Sequence, residues 1–190
     1  EEFFLVQSRY SAAIKEIQTK LEILDDEFQM RHRRNPIHHM QSRLKTIQSM
    51  LEKLKRKNYE VSINSAVKNL QDIAGIRVIC SYVQDVYTIA NLLVSQDDVH
   101  LVRMADYIRE PKPNGYRSLH LIVEIPVFLS EGRILVPVEV QIRTIAMDFW
   151  ASLEHSLRYK AQEYIPQHIS DELQRVATDI ASLDQRMQAI

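Results

Sequence analysis

Three residues spaced by four could hold a chain of phosphate groups. Lys45, Ser49 and Lys53 would form one ridge on a helix, because residues four apart are neighbours on a helix surface. Two ammonium groups and a hydroxyl in a line suit a polyphosphate, although a solvated basic helix face has the same spacing. Positions 31–57 carry nine lysine and arginine residues and one acidic residue, Glu52, which indicates a local anionic ligand.

Two carboxylates and two arginines could complete a nucleotide site. Asp72 precedes a predicted strand, and Glu139 lies on the polar face of another. Mg²⁺ bound to nucleotide phosphates takes one or two carboxylates, whereas each carboxylate alone also fits a turn cap or a surface cross-strand pair. Arg43 and Arg77 are planar cations that can stack on a base or form salt bridges.

The segment 111–120 has the composition of a nucleotide-binding loop. Lys112, Asn114 and Tyr116 alternate along it and could supply a cation for phosphate, an amide for a base edge and a ring for stacking. Two prolines and an Asn-Gly pair indicate a loop, which leads into His120 on the polar face of a predicted strand. A hairpin loop with a structural tyrosine is the alternative.

Amphipathic helices must position these groups at both ends of the chain. One apolar stripe runs from Tyr10 to Phe28, and another runs from Leu173 to Ile190. Asn35 and Pro36 predict the cap and first turn of a further helix. Its apolar positions would be Ile37, Met40, Leu44, Ile47, Leu51 and Leu54.

The middle of the chain predicts one sheet with a packed face and a polar face. Apolar residues with helical spacing begin at Val83 and again after Thr144, which predicts two further helices. We expect Phe149, Trp150 and Leu153, on the second of these, in the core. The order of elements predicts an α+β fold, with the polar face as the place for chemistry. Strands are predicted at 73–82, 99–108, 118–125 and 136–143, within one domain (1–190) divided into an N-terminal helix (1–35), a catalytic core (36–160) and a C-terminal helix (166–190).

The composition of the 190 residues excludes several protein classes. Three scattered glycines cannot form a Rossmann fingerprint or a Walker A loop. The one cysteine, Cys80, excludes an intramolecular disulfide and fits a reducing compartment. No apolar run approaches the roughly 20 residues of a membrane span. We therefore expect no membrane partner. A net charge of −1 argues against a chain coated by nucleic acid, so we also expect no DNA partner.

Four motifs together resemble the synthetase domain of the RelA/SpoT alarmone synthetases, and the chain looks like a small, RelP-like member. The similarity spans roughly residues 36–160. Its motifs are Arg43-x-Lys45-x₃-Ser49-x₃-Lys53, Asp72-Ile-Ala-Gly-Ile-Arg77, the segment 107–120 and Glu139-Val-Gln-Ile-Arg-Thr144.

The resemblance implies a nucleotidyltransferase-like mixed sheet and a GTP pyrophosphokinase. Such an enzyme transfers pyrophosphate from ATP to the 3′-hydroxyl of GTP or GDP, making (p)ppGpp and AMP in the stringent response. It implies Mg²⁺ bound by Asp72 and Glu139, Glu139 as the base, and a cytoplasmic homotetramer. The apolar stripes 10–28 and 173–190 are longer than one small domain needs, so we expect them to mediate that assembly. The other implied contacts are Arg43 and Arg77 on adenine, Lys45, Ser49 and Lys53 on the ATP phosphates, Tyr116 and Asn114 on guanine, Lys112 and His120 on the acceptor phosphates, and Gln141 near the acceptor or the base.

Two other functions remain open on the sequence. A non-catalytic module could use the basic segment to bind RNA or an alarmone, but a polyanion binder gains nothing from a carboxylate pair in its cleft. A nucleotidyltransferase that moves a nucleoside monophosphate generally needs a paired-carboxylate strand motif for two metals, and the sequence has no Asp-x-Asp.

Overall fold

The computed structural model describes residues 2–162 and 164–190 and confirms the α+β class. In chain order the elements are α1 (Glu2–His32), β1 (Ile37–Leu44), α2 (Ile47–Arg56), α3 (Ile63–Asn69), β2 (Ala74–Cys80), α4 (Val83–Val94), β3 (His100–Asp106), β4 (Leu119–Leu129), β5 (Gly132–Thr144), α5 (Ile145–Lys160) and α6 (Gln167–Gln188).

The five strands form one mixed sheet in the order β1-β2-β5-β4-β3. The strands β2 and β5 are parallel, and every other neighbouring pair is antiparallel. The chain between β2 and β5 contains α4, β3 and β4, so the parallel pair is joined by a long crossover, as parallel strands require. The sheet therefore brings residues about 60 positions apart in sequence side by side.

The helix α1 covers one face of the sheet, as its apolar stripe predicts. Ile17 and Leu21 are fully buried, and Tyr10, Ile14 and Leu24 are also buried. The helix contacts β1, β2, β4, β5 and α4. Burying each large aliphatic side chain contributes about 1.5–3 kcal/mol, so this stripe stabilises the chain's own core. Within residues 2–162 and 164–190, no helix combines the length and apolar character of a membrane span.

The predicted helix beginning at Pro36 is wrong, because residues 37–44 form the edge strand β1. A register shift between Ile37 and His39 adds one residue to β1 relative to β2. This irregularity places Ile37 on the same side of the sheet as Met40 and Leu44. These apolar residues are therefore three and four positions apart, as they would be on one face of a helix. The actual helix α2 begins after Thr46, whose side chain accepts a hydrogen bond from the Ser49 backbone N–H.

The strands β4 and β5 alternate between the two faces of the sheet, as predicted. Leu121 and Val140 are fully buried on the packed face, whereas His120 and Glu139 are half-buried on the other face. Pro137 lies opposite Glu124 on β4, one residue before β5 starts to pair with β2. At that position β5 has one paired neighbour, so the missing proline N–H is tolerated.

The helix α5 confirms only part of the predicted core. Thr144 caps it, and the Trp150 ring is buried, with its indole N–H donating to the Leu173 carbonyl at 2.8 Å. Phe149 and Leu153 are 58% and 49% exposed, so their assignment to the core is wrong. The residues that α5 buries are on its other side, facing β5 and α6, and helical spacing alone does not tell which side faces inwards.

The helix α6 holds the loop between β3 and β4 in place. The Arg117 guanidinium donates to the Ala177 carbonyl at 2.8 Å. Gly115 has φ +98°, and a Cβ added there would lie 2.8 Å from the Ala177 Cβ. The loop and α6 therefore meet at a distance that only glycine allows.

We expect Gly115→Ala to destabilise the fold more than Gly132→Ala. Both glycines have positive φ, but a Cβ at Gly132 meets nothing within 4 Å. Gly132→Ala should cost about 1–3 kcal/mol from backbone strain, and Gly115→Ala about 1–3 kcal/mol more from the contact with Ala177. Urea denaturation of both variants measures the difference. Equal losses would show that the loop does not pack tightly on α6.

Candidate active site

Two rows of polar side chains cross the open face of the sheet. The strand register places Gly75 between Arg43 and Glu139, so the space between these two side chains is not filled from β2. The neighbouring row runs across four strands as Gln41, Arg77, Gln141 and His120.

These rows line a pocket of about 200 Å³ between β1, β2 and β5. Five predicted site residues share it, although the sequence places them on three separate segments. Gln41 and Ser42 also line it, and the sequence analysis missed both because it assigned this segment to a helix. The five predicted residues in the lining are Arg43, Asp72, Arg77, Glu139 and Gln141.

Two lysines hold the Asp72 carboxylate. Lys53, on α2, lies 2.6 Å from Asp72 Oδ2, and Lys45, between β1 and α2, lies 3.1 Å from the same oxygen. The ridge of three residues predicted for one helix is therefore shared between a strand end and α2. Ser49 makes its hydrogen bonds to the capping residue Thr46. Lys45 and Lys53 thus contact the pocket residue Asp72 directly, whereas the predicted contact of Ser49 with a phosphate stays a prediction.

Asp72 stays anionic despite its burial. Burial acts to raise the pKa of this carboxyl, but the hydrogen bond from Lys53 and the charges of Lys45 and Lys53 outweigh it and hold the pKa below its usual value. The second oxygen, Oδ1, is buried and has no hydrogen-bond partner among the described residues. The same is true of Arg77 Nε in the same pocket. One acceptor and one donor are thus available to a ligand.

The pocket fits a divalent cation that arrives with phosphate. Asp72 Oδ1 is a free carboxylate oxygen, and Glu139 supplies a second carboxylate to the same pocket. Mg²⁺ prefers such oxygen ligands and completes its shell with phosphate oxygens and water. Within residues 2–162 and 164–190 no group of three or more His, Cys, Asp or Glu side chains could hold a metal. A cation held by these two carboxylates would therefore take its other ligands from outside the chain.

The loop before β4 places an aromatic cluster beside the pocket. The rings of Tyr107, Tyr116 and His120 meet edge to face, with centroids 5.2 to 6.2 Å apart. The Lys112 ammonium lies 4.8 Å from the Tyr107 ring centroid and 5.0 Å from that of Tyr116. Tyr107 begins the motif 107–120, but no role in the site was predicted for it.

Asn114 faces a different environment from the other loop residues. Its side-chain oxygen accepts a hydrogen bond from the Tyr116 backbone N–H at 3.1 Å, which shapes the turn. Asn114 also lines a separate cavity of about 250 Å³ with Glu154 and Arg158. Its predicted contact with a guanine edge stays a prediction.

The sequence analysis missed the part of Arg143 in this site. The side chain is buried, and its Nη2 donates to the Tyr116 hydroxyl at 3.0 Å and to Gln141 Oε1 at 2.7 Å. Gln141 in turn donates to Glu139 Oε1 at 2.8 Å. The available signal was the spacing of two from Glu139 to Gln141 to Arg143, which places all three on one face of β5.

His120 is neutral at physiological pH. Burial, followed by the charges of Lys112, Arg143 and Arg103, lowers the pKa of this imidazole to about 4. Its Nδ1 lies 3.7 Å from Glu139 Oε1, so this approach is a polar contact and not an ion pair. Its Nε2 lies 2.8 Å from the Tyr116 hydroxyl. The structure thus places His120 between the aromatic loop and Glu139.

Comparison with known proteins identifies relatives over most of the chain. The family model described as "Region found in RelA / SpoT proteins" matches residues 42–164. The GTP pyrophosphokinase YwaC of Bacillus subtilis is 45% identical over 181 residues, which cover 95% of this chain and 86% of that protein.

Solved structures share the whole fold. The small alarmone synthetase 2 of Bacillus subtilis has a TM-score of 0.90 at 42% identity, covering 100% of this chain and 97% of that one. The small alarmone synthetase 1 of the same organism, bound to its product pppGpp, has a TM-score of 0.88 at 38% identity, covering 99% and 94%. The structural similarities cover all three strands that carry the pocket, and the family match covers β2, β5 and the last three residues of β1. The chain therefore belongs to the RelA/SpoT family.

Proposed function

We propose that this protein is a GTP pyrophosphokinase, which transfers pyrophosphate from ATP to the 3′-hydroxyl of GTP or GDP and releases AMP. One observation carries the proposal: a single pocket presents an unpartnered carboxylate oxygen on Asp72, an unpartnered guanidinium nitrogen on Arg77, and Glu139. A metal–nucleotide complex would satisfy the first two groups and present phosphorus near the third. The names of the relatives support this reaction.

The donor nucleotide would lie over β1 and β2. Arg43 and Arg77 line one pocket from neighbouring strands, which suits stacking on adenine from two sides. Lys45 and Lys53 would exchange part of their contact with Asp72 for the phosphates, and Ser49 lies on α2 between them in sequence. Phosphoryl transfer needs mainly positioning and charge neutralisation, which these cations provide.

Mg²⁺ is the cation that we propose for Asp72 and Glu139. When bound, it would neutralise phosphate charge and polarise the phosphorus that is attacked. The protein holds the two carboxylates on neighbouring strands, through Glu139 opposite Gly75 and Asp72 just before β2. The lysines keep Asp72 ionised, so it is ready to act as a ligand.

The acceptor nucleotide would lie over β4 and the loop 111–118. Tyr116 would stack on guanine, with Asn114 at the base edge and Lys112 at the phosphates. Glu139 would take the proton of the 3′-hydroxyl as the new oxygen–phosphorus bond forms and the bond to AMP breaks. The family resemblance places His120 at the acceptor phosphates and Gln141 near the acceptor or the base. His120 contacts the Tyr116 hydroxyl, and Gln141 donates a hydrogen bond to Glu139. The contact with Glu139 supports the placement of Gln141 near the base.

We also propose that the protein acts in the bacterial cytoplasm as a homotetramer in the stringent response. The α1 stripe cannot provide the contact between subunits, because it packs into the chain's own core. Supporting surface lies instead on α5, where four exposed apolar residues spaced by four form a ridge. Such ridges pack against their like at about −50° between helices. The ridge consists of Ile145, Phe149, Leu153 and Leu157.

We expect AMP release to depend strictly on a guanine nucleotide and on a divalent cation. The protein is incubated with ATP and Mg²⁺, with and without GTP or GDP, and the nucleotides are separated. AMP and a 3′-pyrophosphorylated guanine nucleotide should form in equal amounts, and EDTA should stop both. Equal AMP release without an acceptor would contradict pyrophosphate transfer.

Glu139→Gln should lower turnover by about a hundredfold or more, since it keeps the side-chain shape but removes the base. Binding of an ATP analogue should largely survive because the lysines and arginines remain. The matched control is Glu124→Gln, which lies on the same face of the sheet but outside the pocket. Full turnover of Glu139→Gln would show that this carboxylate is not the base.

Tyr116→Ala should raise the half-saturation concentration for the guanine nucleotide and leave ATP affinity nearly unchanged. A lost stack removes on the order of 1–3 kcal/mol per base. Steady-state kinetics with each nucleotide varied in turn measure both effects, and Tyr159→Ala, at a residue that is 82% exposed, is the control. If ATP binding weakens and GTP binding does not, the two base sites are assigned backwards.

The native protein should have four times the chain mass of 22.3 kDa in light scattering at micromolar concentration. Phe149→Glu with Leu153→Glu should reduce that mass, because charges would lie in the proposed contact. Ile23→Glu is the control, at an exposed position on α1 outside the ridge. A wild-type monomer would refute the tetramer.

A further inference from the structure

A closed ring of polar contacts joins the aromatic loop to Glu139. From Glu139 it runs through Gln141 at 2.8 Å and Arg143 at 2.7 Å, and then through the Tyr116 hydroxyl at 3.0 Å. His120 closes it, 2.8 Å from that hydroxyl and 3.7 Å from Glu139 Oε1. Two paths therefore connect the proposed stacking residue to the proposed base.

Among the residues of this ring, Arg143 is the one whose burial is hardest to explain by stability alone. It is 3% exposed, and its nearest carboxylate, Asp148 Oδ1, is 3.5 Å away. Its Nε is buried without a hydrogen-bond partner among the described residues. Burying a guanidinium with incomplete pairing is costly, and an apolar side chain could fill the same space at lower cost. The contacts to Tyr116 and Gln141 are what such a side chain would lose.

The direction of every hydrogen bond in the ring follows from Arg143. A guanidinium can only donate, so Gln141 must turn its oxygen to Arg143 and its amide N–H to Glu139. The Tyr116 hydroxyl accepts from Arg143 and has its proton free for His120 Nε2. The other ring nitrogen of His120, Nδ1, lies 3.7 Å from Glu139 Oε1. The Gln141 path thus delivers an N–H group to Oε1 of Glu139 and leaves Oε2 for a substrate proton.

We propose that Arg143 is a positioning residue that couples binding of the acceptor base at Tyr116 to the orientation of Glu139. The proposal rests on the pyrophosphokinase function proposed above. A base that stacks on Tyr116 holds its phenol hydroxyl against Arg143. The hydrogen bonds from Arg143 to Gln141 and from Gln141 to Glu139 then hold the Glu139 carboxylate in one orientation. A correctly bound acceptor thereby orients the carboxylate that deprotonates it. ATP, bound over β1 and β2, would reach this ring only on its Glu139–Gln141 side, which lines the donor pocket, and not at Tyr116 or Arg143.

The test compares Arg143→Met with Arg143→Lys. Methionine fills similar space without a donor, so we expect a tenfold or greater fall in kcat, on the order seen when a catalytic group is misplaced. The half-saturation concentration for GTP should rise, and the dissociation constant of an ATP analogue should stay within about twofold of wild type. Lysine restores one donor and should recover part of kcat. Arg133→Met, on the same strand at an exposed position, should match wild type.

A second set of variants keeps the test independent of the buried arginine. Tyr116→Phe keeps the ring for stacking but removes the hydroxyl that Arg143 contacts, and Gln141→Met breaks the link from Arg143 to Glu139 on the same path. If Arg143 couples the two, the losses in kcat are not independent, and the double variant loses less than the product of the single losses. Losses that multiply within about twofold would overturn the coupling, as would an equal weakening of ATP-analogue binding in Arg143→Met.

The two proposals fail in different ways. If the pyrophosphokinase function is wrong, wild type makes no 3′-pyrophosphorylated product. If only the coupling is wrong, wild type makes product, and either Tyr116→Phe retains full kcat or its loss and that of Gln141→Met multiply in the double variant.

Discussion

The candidate site depends on the parallel pairing of β2 with β5. This pairing sets Gly75 beside Glu139 and Arg77 beside Gln141, although about 64 residues separate the partners in sequence. It also brings Asp72, which precedes β2, into the pocket that Glu139 lines. A one-residue change of register would turn Glu139 to the packed face, where an unpaired carboxylate could not remain. The apolar faces of both strands, buried against α1, therefore hold the pocket residues in place.

Electrostatics within the pocket are arranged before any nucleotide binds. Lys45 and Lys53 neutralise Asp72 and are themselves held in position by it, so their ammonium groups do not have to be ordered by the substrate. In the proposed reaction a divalent cation takes over the charge of Asp72 while phosphates take over the lysines. The exchange replaces one set of ion pairs with another, and little charge is left uncompensated. Such preorganisation favours catalysis because less reorganisation occurs during the reaction.

The sequence predicts the long helices α1 and α6 and the strands β2 to β5 better than the edge strand β1 and the short helix α3, which was not predicted. The α1 stripe and the alternation of β4 and β5 are regular, because long buried faces impose a regular period. β1 is missed because a register shift after Ile37 hides its period of two. Phe149 and Leu153 show that an apolar stripe on α5 does not reveal which surface it faces. These errors involve tertiary contacts that no local pattern contains.

The same distinction between local patterns and tertiary contacts applies to the site residues. Asp72 and Glu139 are recognisable because carboxylates in a basic setting suit a metal–phosphate ligand, and the pocket brings them together. The spacing of two places Arg143 on the same face of β5 as Glu139 and Gln141, but it does not show that the guanidinium is buried against Tyr116.

The two halves of the site differ in how they are held. The donor half lies on paired strands, whereas Tyr116 belongs to a loop that rests on α6 through Gly115 and Arg117. A loop is less constrained than a sheet, so by itself it would place an aromatic ring less accurately than strands place Glu139. The hydrogen bonds from Arg143 to the Tyr116 hydroxyl and to Gln141 tie the loop to β5. One guanidinium, rooted in the central strand of the sheet, would thus give the loop the positional accuracy that the proposed in-line transfer between two nucleotides requires.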